Sequence, residues 1–167
     1  MVRSRVVPVG AAAAVTALAL AALTVSPAAS AAVGPVSRAQ TVLADVSSGP
    51  FHITVTARRA PNAAADSATG QFAADVSLAG FRLSSLSGPV TCLDVQGHRA
   101  GLFYPITSSS PSLFSHVNSG VFIYFQLSDT GVAQSVGFLP VPIASTRSCA
   151  PSLALLPVTS GSVTLTS

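Results

Sequence analysis

The 167-residue sequence contains no lysine, no glutamate and no tryptophan, and it has only two cysteines and one methionine. All eight basic residues are arginine and all five acidic residues are aspartate. Two of the arginines, Arg3 and Arg5, lie in a segment that we expect to be removed, which leaves six arginines against five aspartates. A near-neutral chain without a basic cluster argues against nucleic acid or an anionic membrane as its partner.

Sequence motifs typical of enzymes and metal sites are also missing. Serine is abundant, but no Gly-x-Ser-x-Gly elbow marks a nucleophile, and no aspartate pair forms an acid/base motif that would support glycoside hydrolysis. The three histidines, His52, His98 and His116, share no short spacing of the kind that zinc ligands show. The sequence therefore predicts no catalytic residue, no metal ligand and no cofactor.

The amino terminus has the pattern of a secretory signal peptide. Arg3 and Arg5 precede an uncharged apolar run from Ala11 to Val25, and Ala29-Ser30-Ala31 supplies an A-x-A cleavage site. We predict a signal peptide over residues 1–31 with cleavage after Ala31, or alternatively after Ala32. A retained membrane anchor is disfavoured because the apolar run is shorter than the ~20 residues that span a bilayer. The mature protein is thus expected outside the cell, with no integral membrane segment.

Residues 32–49 form a leader that precedes the main domain. Ser37 to Gln40 has the form of a capping box, and Ala39, Val42, Leu43 and Val46 recur at helical spacing, which predicts a short helix. The β-branched pair Thr41-Val42 favours a strand instead.

Residues 50–167 are predicted to form a single β-domain. Apolar and polar residues alternate from Phe51 to Arg58, as in a strand with one buried and one solvated face. Eight such strands without intervening helices indicate an antiparallel all-β meander. We predict a small β-barrel, because a meander that closes removes its own edges, and keep a two-layer β-sandwich as the alternative.

The stretch from Pro89 to Ala100 is predicted to lie in the middle of the sheet. Val90 to Val95 alternates as a strand, Gly97 provides a tight turn, and Ala100 to Ile106 alternates again as the return strand. The pattern Val-Thr-Cys-Leu-x-Val, a Gly turn and Arg-Ala, with a second cysteine far downstream, resembles a group of small secreted proteins of unknown function from high-GC Gram-positive bacteria. The resemblance spans roughly Phe51 to Ser167 and implies a secreted β-domain without implying any site residue.

Cys92 and Cys149 are the only cysteines and, in an exported protein, are expected to form a disulfide. Closing a loop of this length would disfavour the unfolded state by about 4 kcal/mol in the chain-entropy model. A redox role would require closely spaced thiols with a low pKa, so we interpret the pair as structural.

The segment from Val121 to Phe125 is apolar on both faces, unlike the other strands. This pattern indicates a strand covered on both sides, a cavity wall or an intermolecular surface. If the sheet closes, a pocket for a small apolar ligand is expected along this strand and the long loop after Thr107, with core packing as the alternative. Its lining would be drawn from Leu102, Tyr104, Phe114, Ile123 and Phe125.

The only adjacent basic residues are Arg58 and Arg59, which are interpreted as an anion clamp or as an exposed strand end. Three hypotheses follow for the function. The first is a non-enzymatic extracellular or cell-wall-associated interaction module, the second is a carrier of a small apolar ligand, and the third is a hydrolase without a recognisable motif.

Overall fold

The structure, a computed structural model, describes residues 38–110 and 119–167. The predicted signal peptide, its cleavage site, Phe114 and His116 lie outside the described residues. In chain order the strands are β1 (Gln40–Ser48), β2 (Phe51–Arg59), β3 (Thr69–Leu78), β4 (Phe81–Pro89), β5 (Cys92–Gln96), β6 (Arg99–Pro105), β7 (Ser108–Ser110), β8 (Gly120–Leu127), β9 (Ala133–Val141), β10 (Leu156–Pro157) and β11 (Ser160–Thr166). A 3-10 turn at Ala65–Ser67 joins β2 to β3.

The strands form two antiparallel sheets, which confirms the all-β prediction. The first sheet has six strands in the order β11-β1-β2-β3-β4-β7, and the second has five in the order β10-β9-β8-β6-β5. Their inner faces share one core, in which the Phe72 and Tyr104 rings stack at 3.9 Å across the interface. The alternation predicted for Phe51 to Arg58 is observed, since Ile53, Val55 and Ala57 are buried and their neighbours face outward.

The helix predicted within residues 32–49 is wrong, because Gln40–Ser48 is strand β1. Val42, Ala44 and Val46 alternate into the core, and β1 pairs with β2 on one side and with β11 on the other. Hydrogen bonding to strands on both sides stabilises the extended conformation more than the weak helical spacing favours a helix. Gly49, at φ +55°, starts the two-residue turn into β2 instead of ending a helix.

The preference for a closed barrel is also wrong, because the described strands form a two-layer sandwich with separate sheets. The chain changes sheet four times, and three of these corners lie wholly within the described residues, where two consecutive N–H groups donate to opposite sides of the sandwich. At the first, Val90 donates to Gly70 of β3 and Thr91 donates to Phe103 of β6. The other two corners are Ile106-Thr107 and Val158-Thr159. The hydrogen-bond ladder therefore breaks at each corner instead of continuing around a barrel.

Strand β5, predicted to lie in the middle of a sheet, is instead the edge strand of the second sheet. Side chains from the first sheet cover this edge. The Gln40 amide acts as a surrogate strand, since its Nε2 donates to Val95 O at 2.8 Å and its Oε1 accepts from Val95 N at 3.1 Å. Arg59 Nη1 donates to Leu93 O at 3.1 Å. Residues 92–95 are consequently all buried, which accounts for the interior character of their sequence.

Candidate interaction surface

The adjacent arginines Arg58 and Arg59 have different environments. Arg58 is exposed, whereas Arg59 is fully buried with its guanidinium 3.5 Å from Asp94 Oδ1. Arg59 Nε also donates to Ala63 O at 3.0 Å, and Asp94 accepts from Gln96 at 2.6 Å. The Arg59 side chain is thus committed to the interior, and the pair does not form a surface anion clamp.

A disulfide joins Cys92 and Cys149, as predicted, with the two Cα atoms 6.0 Å apart. It fixes one end of residues 149–154, here called the strap, against the outer face of the second sheet. The strap passes over Gly101 and Gly137, which flank Tyr124 in the sheet register. A Cβ at Gly137 would lie 2.6 Å from Leu153 O, and one at Gly101 would collide with Cys149 O. These glycines allow the strap to lie directly on the sheet.

The strap and the disulfide explain why Val121 to Phe125 is apolar on both faces. Ile123 and Phe125 point into the main core, while Phe122 packs against Phe103 on the opposite face with ring centroids 4.9 Å apart. Phe103, Cys92, Cys149 and Ala65 form a small second core there. Of the three interpretations of this segment, a strand covered on both sides is the one observed.

Four of the five predicted ligand-lining residues lie together in the main core: Leu102, Tyr104, Ile123 and Phe125. Burial raises the pKa of the Tyr104 phenol. Two shallow surface concavities, of about 620 Å³ and about 390 Å³, include none of these four residues. Core packing accounts for their burial without a ligand, and their role in ligand binding stays a prediction.

The two described histidines lie on the surface beside aspartates. His52 Nε2 is 2.9 Å from Asp45 Oδ1 on the outer face of the first sheet, and His98 Nδ1 is 3.5 Å from Asp129 Oδ1. Neither histidine hydrogen-bonds to a serine or threonine hydroxyl among the described residues. Over residues 38–110 and 119–167, no group of three or more histidines, cysteines or aspartates is placed to hold a metal ion.

Three large apolar residues are exposed where β3 turns into β4, and a further exposed pair, Leu153 and Leu155, lies on or beside the strap. Phe81 is 74% exposed, Leu78 63% and Leu83 54%. We call residues 77–84 the hairpin end. Pairing of β2 with β3 stops at Phe51 and Val76, and β7 pairs with β4 only at residues 85–87. Ser77 N still donates to Pro50 O at 2.8 Å, but beyond this contact the hairpin end projects past the described strands on both sides.

The geometry of the hairpin end is defined by its turn and by one ion pair. Ala79 and Gly80 both have positive φ, at +50° and +84°, as a two-residue turn with right-handed strand twist requires. Leu78 and Phe81 are directly paired, so their side chains lie side by side. Arg82 Nη2 donates to Asp75 Oδ2 at 2.6 Å, which neutralises the only cation of this segment.

Sequence reasoning placed Leu78, Phe81 and Leu83 on ordinary strands and did not identify this surface. One signal was present, since three large apolar residues surround the Ala79-Gly80 turn, where polar residues usually dominate. The missing information was the register, because only the ends of β2 and β7 show that no described strand pairs alongside the tip.

Comparison with known protein families, with curated protein sequences and with solved structures finds no match to the chain. Within the described residues, no helix is long and apolar enough to cross a membrane. The function is therefore argued from the contacts and exposures of this chain's own residues.

Proposed function

We propose that the protein is exported and acts as a non-enzymatic interaction module, outside the cell or in the cell wall. The disulfide supports export, because such bonds form and persist in oxidising compartments. The predicted signal peptide supports it independently. Both described histidines face aspartates and have no hydroxyl partner within residues 38–110 and 119–167, which favours a binding role over hydrolysis.

The observation that carries the proposal is the exposure of Leu78, Phe81 and Leu83 at the hairpin end. Soluble proteins seldom leave neighbouring large apolar side chains in water unless they mark a contact surface. Phe81 is the proposed anchor, because aromatic residues inserted into a partner's pocket carry much of the binding energy at interfaces. The partner is accordingly a protein with an apolar pocket or groove.

Charge favours a protein partner over a lipid surface. Membrane-binding segments combine apolar residues with free basic residues that contact anionic headgroups. At the hairpin end, however, Arg82 is paired with Asp75. The expected mature chain, with six arginines and five aspartates, offers little further attraction to an anionic membrane.

The proposal is tested by comparing what two immobilised double variants retain from the host's culture fluid and cell-wall extract. Leu78→Ser with Phe81→Ser removes the proposed surface. Leu153→Ser with Leu155→Ser removes two leucines on or beside the strap, which are 73% and 77% exposed, and serves as the matched control. We expect one defined protein to be retained by the wild type and by the control at equal levels, and at least tenfold less by the hairpin variant.

Equal retention by both variants, or no specific retention by the wild type, would overturn the assignment of this surface. Vesicles of neutral and of anionic lipid are tested in parallel with the same variants. Vesicle binding that depends on Leu78 and Phe81 would replace the protein partner with a membrane.

A further inference from the structure

The two sheets have four edge strands, and three of them are protected from pairing with another chain. Strand β7 has three residues and β10 has two, which is too short to form a stable ladder. Strand β5 is sealed by Gln40 and Arg59. Short edges and covered edges are standard devices against association between sheets.

The fourth edge, β11, has none of these devices. It is seven residues long, contains no charge and no proline, and pairs with β1 from Thr41–Thr166 to Ser47–Ser160 without a register shift, its one backbone irregularity being Gly161 at φ +101°. No other described strand pairs with its outer side. Long and uncharged edges favour the addition of a further strand.

The sequence of β11 is complementary to itself in the antiparallel direction. When two copies are related by a two-fold axis at Val163, Gly161 of each copy lies opposite Leu165 of the other. On the inner side of the sheet, a residue without a side chain therefore faces a large apolar side chain. On the outer face Ser162 meets Thr164, and Ser160 meets Thr166, which gives hydroxyl pairs. Such cross-strand pairs stabilise antiparallel sheets. Leu165, half-buried in the single chain, would gain further cover.

We propose that β11 is the contact surface for a second copy of this chain, joining the two six-stranded sheets into one continuous sheet. Charge does not oppose this pairing. The charge nearest to the centre of β11 is Asp45 of β1, which lies opposite Ser162. The two copies' Asp45 residues would be separated by three strand spacings, about 14 Å, which exceeds the screening length of about 8 Å at physiological salt.

This inference does not depend on the proposed function. Strand β11 lies at one end of the first sheet, while the β3–β4 hairpin lies towards the other. A bare monomer, which would leave this edge available to a strand of a different protein, is the alternative outcome of the test below.

The test measures the molar mass of the purified mature protein by sedimentation across a dilution series. We expect the wild type to sediment as a dimer at the upper concentrations. Replacing Ser162→Lys and Thr164→Lys should convert it to a monomer, because two like-charged pairs would meet across the axis. Both positions are exposed in the single chain.

The matched control carries the same substitutions two strands further in, on the same rows of the sheet. Thr54 shares the row of Ser162 through Asp45, and Thr56 shares the row of Thr164 through Leu43. Thr54→Lys with Thr56→Lys should therefore leave the dimer intact, and thermal unfolding should show that all variants fold. Ser160→Lys with Thr166→Lys is a second edge variant that should also give a monomer. A monomeric wild type, or dimers formed by both edge variants, would overturn the proposal.

Discussion

At the scale of single residues, the most consequential contact is the buried ion pair of Arg59 and Asp94. Arg59 also donates to Leu93 O at the edge of β5 and to Ala63 O in the loop after β2. Removing one member of such a pair leaves an uncompensated charge in the interior and orphans the carbonyls that it served. Residues from both sheets thus depend on one guanidinium.

Replacing Arg59→Met should lower the free energy of unfolding by about 3–5 kcal/mol, because Asp94 would remain buried without its partner. Chemical denaturation measures this change. Arg58→Met is the adjacent control on the exposed face and should change stability by no more than about 0.5 kcal/mol. Equal effects of the two substitutions would show that the buried pair contributes nothing specific.

Tyr104 should determine how the protein responds to alkaline pH. The chain has no lysine and both cysteines are bonded, so its two tyrosines are the only side chains that titrate between about pH 9 and 11.5. Burial raises the folded-state pKa of Tyr104 above its unfolded value. The stabilisation from the neutral phenol is therefore complete below the unfolded pKa and is lost as the pH rises through the folded pKa.

We expect the free energy of unfolding to fall above about pH 10, with a slope that approaches about 1.4 kcal/mol per pH unit for each buried tyrosine. Denaturant titrations of Tyr104→Phe at several pH values should show a flatter profile than the wild type. Tyr124→Phe, which lies outside the main core, is the comparison and should change the slope less. Identical profiles for the wild type and Tyr104→Phe would contradict this account.

At the scale of elements, the strap acts as the cover of the outer face of the second sheet. The disulfide fixes its first residue to β5, and Gly101 and Gly137 provide the space beneath it. Without the strap, Tyr124 and Phe122 would face solvent on a strand whose other face is already in the core. The disulfide therefore stabilises a packed layer in addition to restricting the unfolded chain.

Cys149→Ser should lower the free energy of unfolding by about 2–5 kcal/mol. It should also increase the binding of a dye that detects exposed apolar surface, because the strap can then separate from the sheet. The wild type treated with a reductant is the control and should match the variant in both measurements. An unchanged denaturation midpoint in the variant would show that the bridge contributes no net stability.

The strands were predictable from the sequence because each carries its own period-two alternation, as in Phe51 to Arg58, and because Gly80 and Gly97 mark tight turns. Strand β1 was mistaken for a helix because Val42, Leu43 and Val46 fit helical spacing while Val42 and Val46 also fit the alternation of a strand, and only pairing with β2 and β11 decides between them. The choice of sandwich over barrel depended on corners such as Val90-Thr91, where alternation continues but the hydrogen-bond partners change sheet.

The candidate interaction surface was harder to predict from the sequence than the fold was. The sequence around Arg59 predicts a surface residue, because it gives no sign that Gln40 and Asp94 contact Arg59 in the interior. Exposure of the hairpin end depends on where β2 and β7 stop, and exposure of β11 depends on the order of strands in the sheet. These are properties of long-range register, which residue types specify only collectively.

At the scale of the whole molecule, both proposed contact surfaces lie on the first sheet. The apolar hairpin end belongs to β3 and β4, towards the β7 side of the sheet, and the unprotected edge strand β11 lies on the opposite side. In the second sheet, by contrast, the Gln40 side chain covers edge strand β5, edge strand β10 has only two residues, and the strap covers the outer face. This asymmetry is consistent with a module that binds a partner with one end and a second copy with the other.

The central claim, an exported domain stapled by one disulfide, is tested most directly by the intact mass of the protein recovered from culture medium under denaturing conditions. We expect a chain that starts at Ala32 and is lighter by about two daltons than its reduced form, because the Cys92–Cys149 bond removes two hydrogens. A protein found only inside the cell with its first 31 residues retained, or one with both cysteines reduced, would contradict it.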